Sequence, residues 1–360
     1  MQFNFIPRVL STLAFCTTAL ITPWAHADRN QPEHEAKLAV DNIRGDLSVM
    51  VLGSGGADAA ANGRASAGYL IFLDGKPKIL MDVGGGTYQR LAQSGVNIKD
   101  LDIVLLSHLH ADHTGDLSST VKTIYFHSRD AGTYRTAPIR IFGPGANGVK
   151  FPGTNVTQFS ASSQYVDDHY AKATGVERYL NAFAPAISGG DFNYTATDIS
   201  SALFVSPGVP APVQEVVNEN GLVIKAIGVF HGPVPALGFR IDYKGKSVAY
   251  SGDTNSKTGN MITLSQGADL LIYDTAITDT LPNVQINPKD AAFFQLHTTP
   301  SRMGVVAREA RVATLVLSHL TSETEPRLDE VKSLIRAQGF TGKIKTAKDL
   351  RVFNLGQRDD

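Results

Sequence analysis

Residues His108-Leu109-His110-Ala111-Asp112-His113 set three imidazoles and a carboxylate on one short stretch, directly after the apolar run Ile103-Val104-Leu105-Leu106. Burying such a cluster uncharged, or leaving it open beside an apolar strand, costs free energy unless something binds it. Histidine nitrogen and aspartate oxygen are the ligand types of zinc and its borderline neighbours, and a short loop presenting several of them fixes their geometry in advance. The chemistry on offer is binding of a divalent metal.

One turn cannot close two coordination shells, so more histidine and carboxylate must arrive from elsewhere, at strand ends. Three places qualify: His231 after Leu222 to Phe230, Asp253 in Ser251-Gly252-Asp253-Thr254 after Val248 to Tyr250, and His319 after Leu315 to Leu317. Strand ends along one edge of a sheet are where α/β folds place their sites. A single histidine at a strand end is more often a structural cap than a ligand, but together with His108, His110, Asp112 and His113 these residues make a set. By contrast, Gly53-Ser54-Gly55-Gly56 follows a strand yet meets no acidic partner at dinucleotide spacing, and reads as a turn beside the cleft.

The elements that must position this set alternate. Strand-like runs cover Leu47 to Leu52, Tyr69 to Leu73, Lys78 to Asp82, Asp102 to Leu106 and Ile139 to Phe142, with a helical stretch at Gly86 to Ala92. Further strands are expected at Ala236 to Tyr243, Asp269 to Tyr273 and near Ile344 and Val352, with a helix from Pro300 capped by Thr299 and another from Arg327 to Ala337. The pattern predicts an α/β layered domain over residues 47–358. Residues 149–214 are rich in Ser, Thr, Asn, Gly and Pro but carry Phe151, Phe159, Tyr165, Tyr170, Tyr179, Phe183, Phe192 and Tyr194. Disordered linkers are poor in aromatics, so this segment is expected to be an ordered insertion that either walls a substrate pocket or packs on itself. His169, beside Asp167 and Asp168, is its candidate for touching substrate.

The first 27 residues read as a secretory signal: Arg8, the apolar run Val9 to Ile21, and the small-x-small site Ala25-His26-Ala27. Export to the periplasm or medium follows, with residues 28–46 as a mobile lead-in. The apolar run is too short for a membrane anchor. The only cysteine, Cys16, would leave with the signal, which excludes a thiol nucleophile or ligand from the mature chain. Net charge is -1 with no basic stripe, which argues against a nucleic-acid partner and for a small-molecule ester, and leaves a homodimer open.

His108-Leu109-His110-Ala111-Asp112-His113 after its strand, His231 in HGPVPALGF, Asp253 in SGDT, His297 in HTTP and His319 in LSHL together resemble the metallo-β-lactamase fold superfamily. Their order is similar to the branch holding ribonuclease Z and the zinc-dependent arylsulfatases, over Leu47 to about Leu355. The resemblance implies a four-layered αβ/βα sandwich with two metal ions at its edge, most often zinc, with manganese or iron as alternatives. It implies His108, His110 and His231 on the first ion, Asp112, His113 and His319 on the second, and Asp253 bridging. Asp82 resembles the carboxylate that orients a ligand histidine from behind. His297 resembles a histidine that reaches over the metals without ligating them, placed to donate a proton to a leaving oxygen.

Two such metals would hold a bridging hydroxide as nucleophile, with Asp112 orienting or deprotonating the attacking water and His297 protonating the leaving group. The expected activity is hydrolysis of small phosphodiesters or aryl sulfate esters. The alternatives are a lactonase or β-lactamase-like hydrolase, and a ribonuclease Z-type phosphodiesterase acting on RNA. The lactonase reading expects a His-Thr-x-Gly-His segment where the chain has His231-Gly232-Pro233-Val234-Pro235. The ribonuclease Z reading expects a basic protruding arm, and no segment rich in Lys, Arg and Gly offers one.

Overall fold

Strands that are apolar at consecutive positions must be covered on both faces. Val49 and Val51 point to one side of their strand and Met50 and Leu52 to the other, and all four are buried. The computed structural model describes residues 37–58, 62–132, 135–170, 175–176, 178–179, 193–280 and 293–356. The expected signal, residues 1–27, lies outside them. Among them no helix is long and apolar enough to cross a membrane.

The first half of the chain supplies β1 (Leu47–Gly53), β2 (Gly68–Leu73), β3 (Lys76–Val83), β4 (Ile103–Leu105), β5 (Ile139–Pro144) and β6 (Tyr194–Ile199). After a small exposed hairpin of β7 (Phe204–Ser206) and β8 (Val209–Pro210), the second half supplies β9 (Gln214–Glu219), β10 (Leu222–His231), β11 (Val234–Tyr243), β12 (Lys246–Tyr250), β13 (Leu270–Asp274), β14 (Thr314–Ser318) and β15 (Lys343–Thr346), and ends with β16 (Val352–Leu355). One sheet has the order β16-β1-β2-β3-β4-β5-β6 and the other β15-β14-β13-β12-β11-β10-β9. Each is antiparallel through its hairpins and parallel beyond them: β3 to β6 in the first, β12 to β15 in the second. Because β10 and β12 are both antiparallel to β11, β10 runs the same way as β12, β13 and β14.

Alternate residues of the two sheets meet face to face. Val49, Tyr69, Ile71, Ile79, Met81 and Leu105 pack on Ile224, Leu237, Phe239, Ile241, Tyr250 and Ile272. The outer face of the first sheet is covered by α1 (Thr87–Ser94), α3 (Leu117–Asp130) and α4 (Ser162–Tyr170), through Leu91, Val121, Ile124, Val166 and Tyr170. The outer face of the second is covered by α5 (Asn260–Leu264), α6 (Pro300–Glu309) and α7 (Leu328–Ala337), through Met261, Met303, Val306, Val331 and Ile335. The chain is an α/β sandwich, helices outside and sheets inside, as expected.

Some boundaries differ from expectation for physical reasons. Helix α3 carries four β-branched residues and five Ser or Thr in LSSTVKTIYFHSRD, a composition of low helix propensity, and tertiary packing of Leu117, Val121 and Ile124 decides it. In the segment 149–214, α4 and β6 join the first sheet and its helical layer rather than standing outside them. Phe183 and Phe192 lie outside the described residues. In the lead-in, Ile43 is buried and Ala39–Asn42 forms a 3-10 turn. Thr299 caps α6 as expected, accepting from Arg302 N at 3.4 Å.

Two backbone features bring the ligand loops close. A Cβ on Gly84 would lie 1.9 Å from the Asp112 carbonyl oxygen and 2.7 Å from Ser66 Cβ, so the turn after β3 packs on the HxHxDH loop only because that residue is glycine. Asp82 and His319 both sit at positive φ, 53° and 55°, in the left-handed region that costs most residues free energy. We expect Gly84→Ala to push that loop away and destabilise the protein by about 1–3 kcal/mol, the range of overpacking. A thermal melt should move down accompanied by loss of bound metal; an unchanged melt would show that the loop yields freely.

Candidate metal centre

The carboxyl ends of β3, β4, β10, β12, β13 and β14 converge on one edge, and each delivers a residue. Asp82 lies on β3 just before its last residue. Beyond β4 the chain turns through His108 and His110 into α2 (Ala111–Thr114), which holds Asp112 and His113. His231 ends β10, Asp253 follows β12, and His319 follows β14.

Asp82 aside, these residues fall into two groups, and Asp253 and His319 also cluster with Asp274 and His297 in a third. In one, nitrogen atoms of His108, His110 and His231 lie within 4.8 Å of one another; in the other, Asp112, His113, Asp253 and His319 do so. Asp253 stands between them. Its Oδ2 is 3.9 Å from His108 Nε2 and 3.8 Å from His231 Nε2, while its Oδ1 is 3.5 Å from His113 Nε2 and 3.3 Å from His319 Nε2. Asp112 Oδ2 is 3.3 Å from His113 Nε2 and 3.2 Å from His319 Nε2.

Three of these rings, His113, His231 and His297, are held from behind by a hydrogen bond. His113 Nδ1 donates to Asp82 Oδ2 at 2.7 Å, and Asp82 also accepts from Ser107 N, Ser107 Oγ and Tyr250 OH, each at 2.7 Å. His231 Nδ1 donates to the Leu296 carbonyl at 3.2 Å. His297 Nδ1 donates to Asp274 Oδ2 at 2.7 Å, and Asp274 Oδ1 lies 3.6 Å from His319 Nδ1. Such outer partners fix the tautomer and aim the remaining nitrogen inward.

Buried polar atoms are ordinarily hydrogen-bonded, yet among the described residues His231 Nε2 and Asp253 Oδ1 are buried without a hydrogen-bond partner. Both face the gap between the groups. Orphaned atoms on a His and Asp donor set fit a divalent cation, and the cluster is a divalent metal site.

Electrostatics divide the imidazoles. Burial, then His113, keeps His108 well below the ordinary histidine value, and burial brings His231 down to about 4, so both offer lone pairs at neutral pH. Burial opposes charge on His319 as well, but Asp253, Asp112 and Asp274 outweigh it and raise His319 to about 9. Against the same burial, Asp253 and Asp82 raise His113 well above its usual value. Burial also disfavours charge on Asp112 and Asp253, but the histidines around them hold both well below the carboxylate range. For His297, burial is outweighed by Asp274 and then Asp253, which hold it above the ordinary value.

All seven expected ligands and Asp82 thus meet at one place, with His297 beside them: its ring stacks 5.6 Å from that of His319 and lies 5.4 Å from that of His231. His169 is elsewhere. It sits on α4, stacked behind Tyr165 with ring centres 6.3 Å apart, and its Nε2 meets Ser118 Oγ at 2.6 Å. Asp274, Tyr250 and Ser107 went unremarked in the sequence. Asp274 had a signal: it closes the apolar strand of Leu270 to Tyr273 much as Asp82 closes that of Ile79 to Met81. Tyr250 and Ser107 had none, because their role depends on which face of the strand meets Asp82.

Residues 191–320 match the family model described as "Beta-lactamase superfamily domain", and residues 47–136 match that of "Anti-Pycsar protein Apyc1". Ribonuclease Z of Mycobacterium avium is 28% identical over 306 residues, covering 84% of this chain and 96% of the relative. Ribonuclease Z of Mycobacterium bovis is 29% identical over 291 residues, covering 79% and 90%. Among solved structures, the metallo-β-lactamase fold protein YhfI from Bacillus subtilis superposes with TM-score 0.57 at 21% identity, covering 85% of this chain and 98% of that one. Human tRNase Z, short form, gives 0.56 at 21%, with the same coverage. Its two-sheet sandwich and edge-mounted histidine cluster are those of the metallo-β-lactamase fold, and together with these similarities they support a metal-dependent hydrolase of that superfamily. Within the superfamily the similarity is to the ribonuclease Z branch. That finding overturns the expectation of no nucleic-acid partner, which rested on net charge and the missing basic arm: relatives covered almost end to end carry the name of a ribonuclease. Overall charge is a poor guide to such a partner, because metal ions can supply the positive charge that a basic surface would otherwise bring to a phosphate.

Metal ligands must be deprotonated, so loading has to displace the protons that His113 and His319 carry in the metal-free protein. Both are raised, so these protons are bound at pH 7 and leave only as pH rises through the raised values. Metal affinity should therefore increase with pH up to about 9 and fall on acidification. Zinc titration calorimetry in buffers of different ionisation enthalpy should reveal release of about one to two protons per chain at pH 7; buffer-independent heats would contradict this charge distribution.

Proposed function

We propose that the protein is a phosphodiesterase that cleaves RNA with two divalent ions, most often zinc, at this edge. What supports this reading above all is that curated ribonuclease Z relatives align with this chain over 90–96% of their own length. In this reading His108, His110 and His231 would hold one ion and Asp112, His113 and His319 the other, with the two oxygens of Asp253 turned one to each group. Divalent ions in such a pair supply an activated water at neutral pH and positive charge beside the phosphate oxygens. The relatives' name favours this RNA-directed alternative over hydrolysis of small phosphodiesters or sulfate esters.

The chain's own residues do the rest. Asp112, whose Oδ2 faces His113 and His319, orients the attacking water. Asp82, through His113 Nδ1, keeps that ring's Nε2 turned inward. His297, fixed by its Nδ1–H to Asp274, keeps its Nε2 free to carry a proton to the leaving ribose oxygen. The phosphate oxygens lean on positive charge, and the proton donor acts on the oxygen that departs.

With the metal-loaded enzyme and a short RNA, His297→Ala should retain metal and lower turnover by about 10² to 10⁴, as loss of a general acid does. Metal analysis beside a cleavage assay separates the possibilities: release of metal would make His297 a ligand, and full activity would remove its role as acid. If no RNA is cleaved by the loaded wild-type enzyme, the substrate assignment falls.

We also propose that the chain is exported, on the basic, apolar and small-x-small pattern of residues 1–27. Intact-mass measurement of protein from the native host should place Asp28 at the N-terminus; a chain retaining residues 1–27 in the cytosol would falsify export.

A further inference from the structure

A cleft of about 150 Å³ opens beside the metal centre, lined by Leu109, Gln158, Phe159, Tyr165, Val234 and Pro235 among others. Its position ties it to the ligands of both sheets. Leu109 lies between His108 and His110, Val234 pairs with His231 across the β10–β11 hairpin, and the Tyr165 hydroxyl shares a 3.1 Å hydrogen bond with Thr114 Oγ1, next to His113. Among the described residues no charged one lines it. The walls are aliphatic and aromatic, and Gln158 brings an amide to them.

Tyr165 is a prepared surface. His169 lies parallel behind its ring, with planes 2° apart, and Ser118 Oγ fixes His169 Nε2 at 2.6 Å. The hydroxyl bond to Thr114 holds the other end. A ring tethered at both ends loses little freedom when a second planar group stacks on it. An uncharged pocket suits neither a phosphate nor a ribose, but a nucleobase has an apolar face to stack and a polar edge for an amide.

We propose that this cleft is a base subsite: the nucleobase adjoining the scissile phosphate stacks on Phe159 and Tyr165, with the Gln158 amide meeting its edge. This rests on the phosphodiesterase reading and deepens it, since Leu109, between His108 and His110, and Val234, paired with His231, join the cleft to the ligand residues. His169 acts through Tyr165 and is a positioning residue.

The test uses metal-loaded enzyme with a ribodinucleotide and with the same phosphodiester stripped of both bases. Wild type should favour the base-carrying compound by about tenfold or more in kcat/KM, mostly through KM, the size expected for one stacked base. Phe159→Ala and Tyr165→Leu should each reduce that preference by about tenfold, and Phe159→Trp should keep it, with metal content measured in every variant. If Phe159→Ala fails to fold, Phe159→Trp and Tyr165→Leu still decide the matter. Equal cleavage of both compounds by wild type overturns the subsite and leaves the phosphodiesterase standing. Cleavage of neither overturns both, and a preference that survives Phe159→Ala and Tyr165→Leu places the base elsewhere.

Discussion

Asp82 is a fully buried carboxylate at the end of β3 that accepts from Ser107 N, Ser107 Oγ, His113 Nδ1 and Tyr250 OH. Ser107 and His113 belong to the loop that carries the HxHxDH motif, and Tyr250 to the opposite sheet. One side chain therefore sets the entry to the motif, the tautomer of a ligand and the approach of the two sheets. Taking away one partner of a buried paired charge typically costs about 3–5 kcal/mol. The positive φ of Asp82 is sustained because this network holds it, and Gly84, two residues on, clears the space that lets the loop settle against the turn.

A second carboxylate repeats the arrangement in the other sheet. Asp274 ends β13 and faces His297 and His319, so each half of the sandwich supplies one buried Asp behind the histidines. The halves also mirror each other in topology, antiparallel hairpins giving way to parallel strands whose carboxyl ends share an edge. Asp253 is where the two groups of ligands meet, each oxygen turned to a different group. The site is rigid because its ligands stand on strand ends and its outer partners stand in the core.

This rigidity bears on the chemistry. Metal ligands aimed in advance, with the protons of His113 and His319 as placeholders, need little reorganisation when ions arrive. His297 is held by the same carboxylate that stands behind His319, which couples the position of the proton donor to that of a ligand. The aromatic wall around Tyr165 belongs to the same unit, since Thr114 links it to the turn carrying His113.

Much of this was legible in the chain itself. The HxHxDH cluster, the strand-end placement of His231, Asp253 and His319, and the two-sided apolar strands follow from local pattern, because period and spacing along a strand decide which residues emerge at its end. Helix α3 was not legible, as its Ser, Thr and β-branched content disfavours a helix that only packing on the first sheet decides. Nor were Asp274, Tyr250 and the Leu296 carbonyl recognisable as the groups behind the histidines, since a hydrogen bond between residues dozens to well over a hundred positions apart depends on sheet register and facing. The same holds for the cleft of Phe159 and Tyr165. Sequence placed aromatics in that segment, but only the packing of α4 against α3 and the motif turn brought them to the edge of the metal centre.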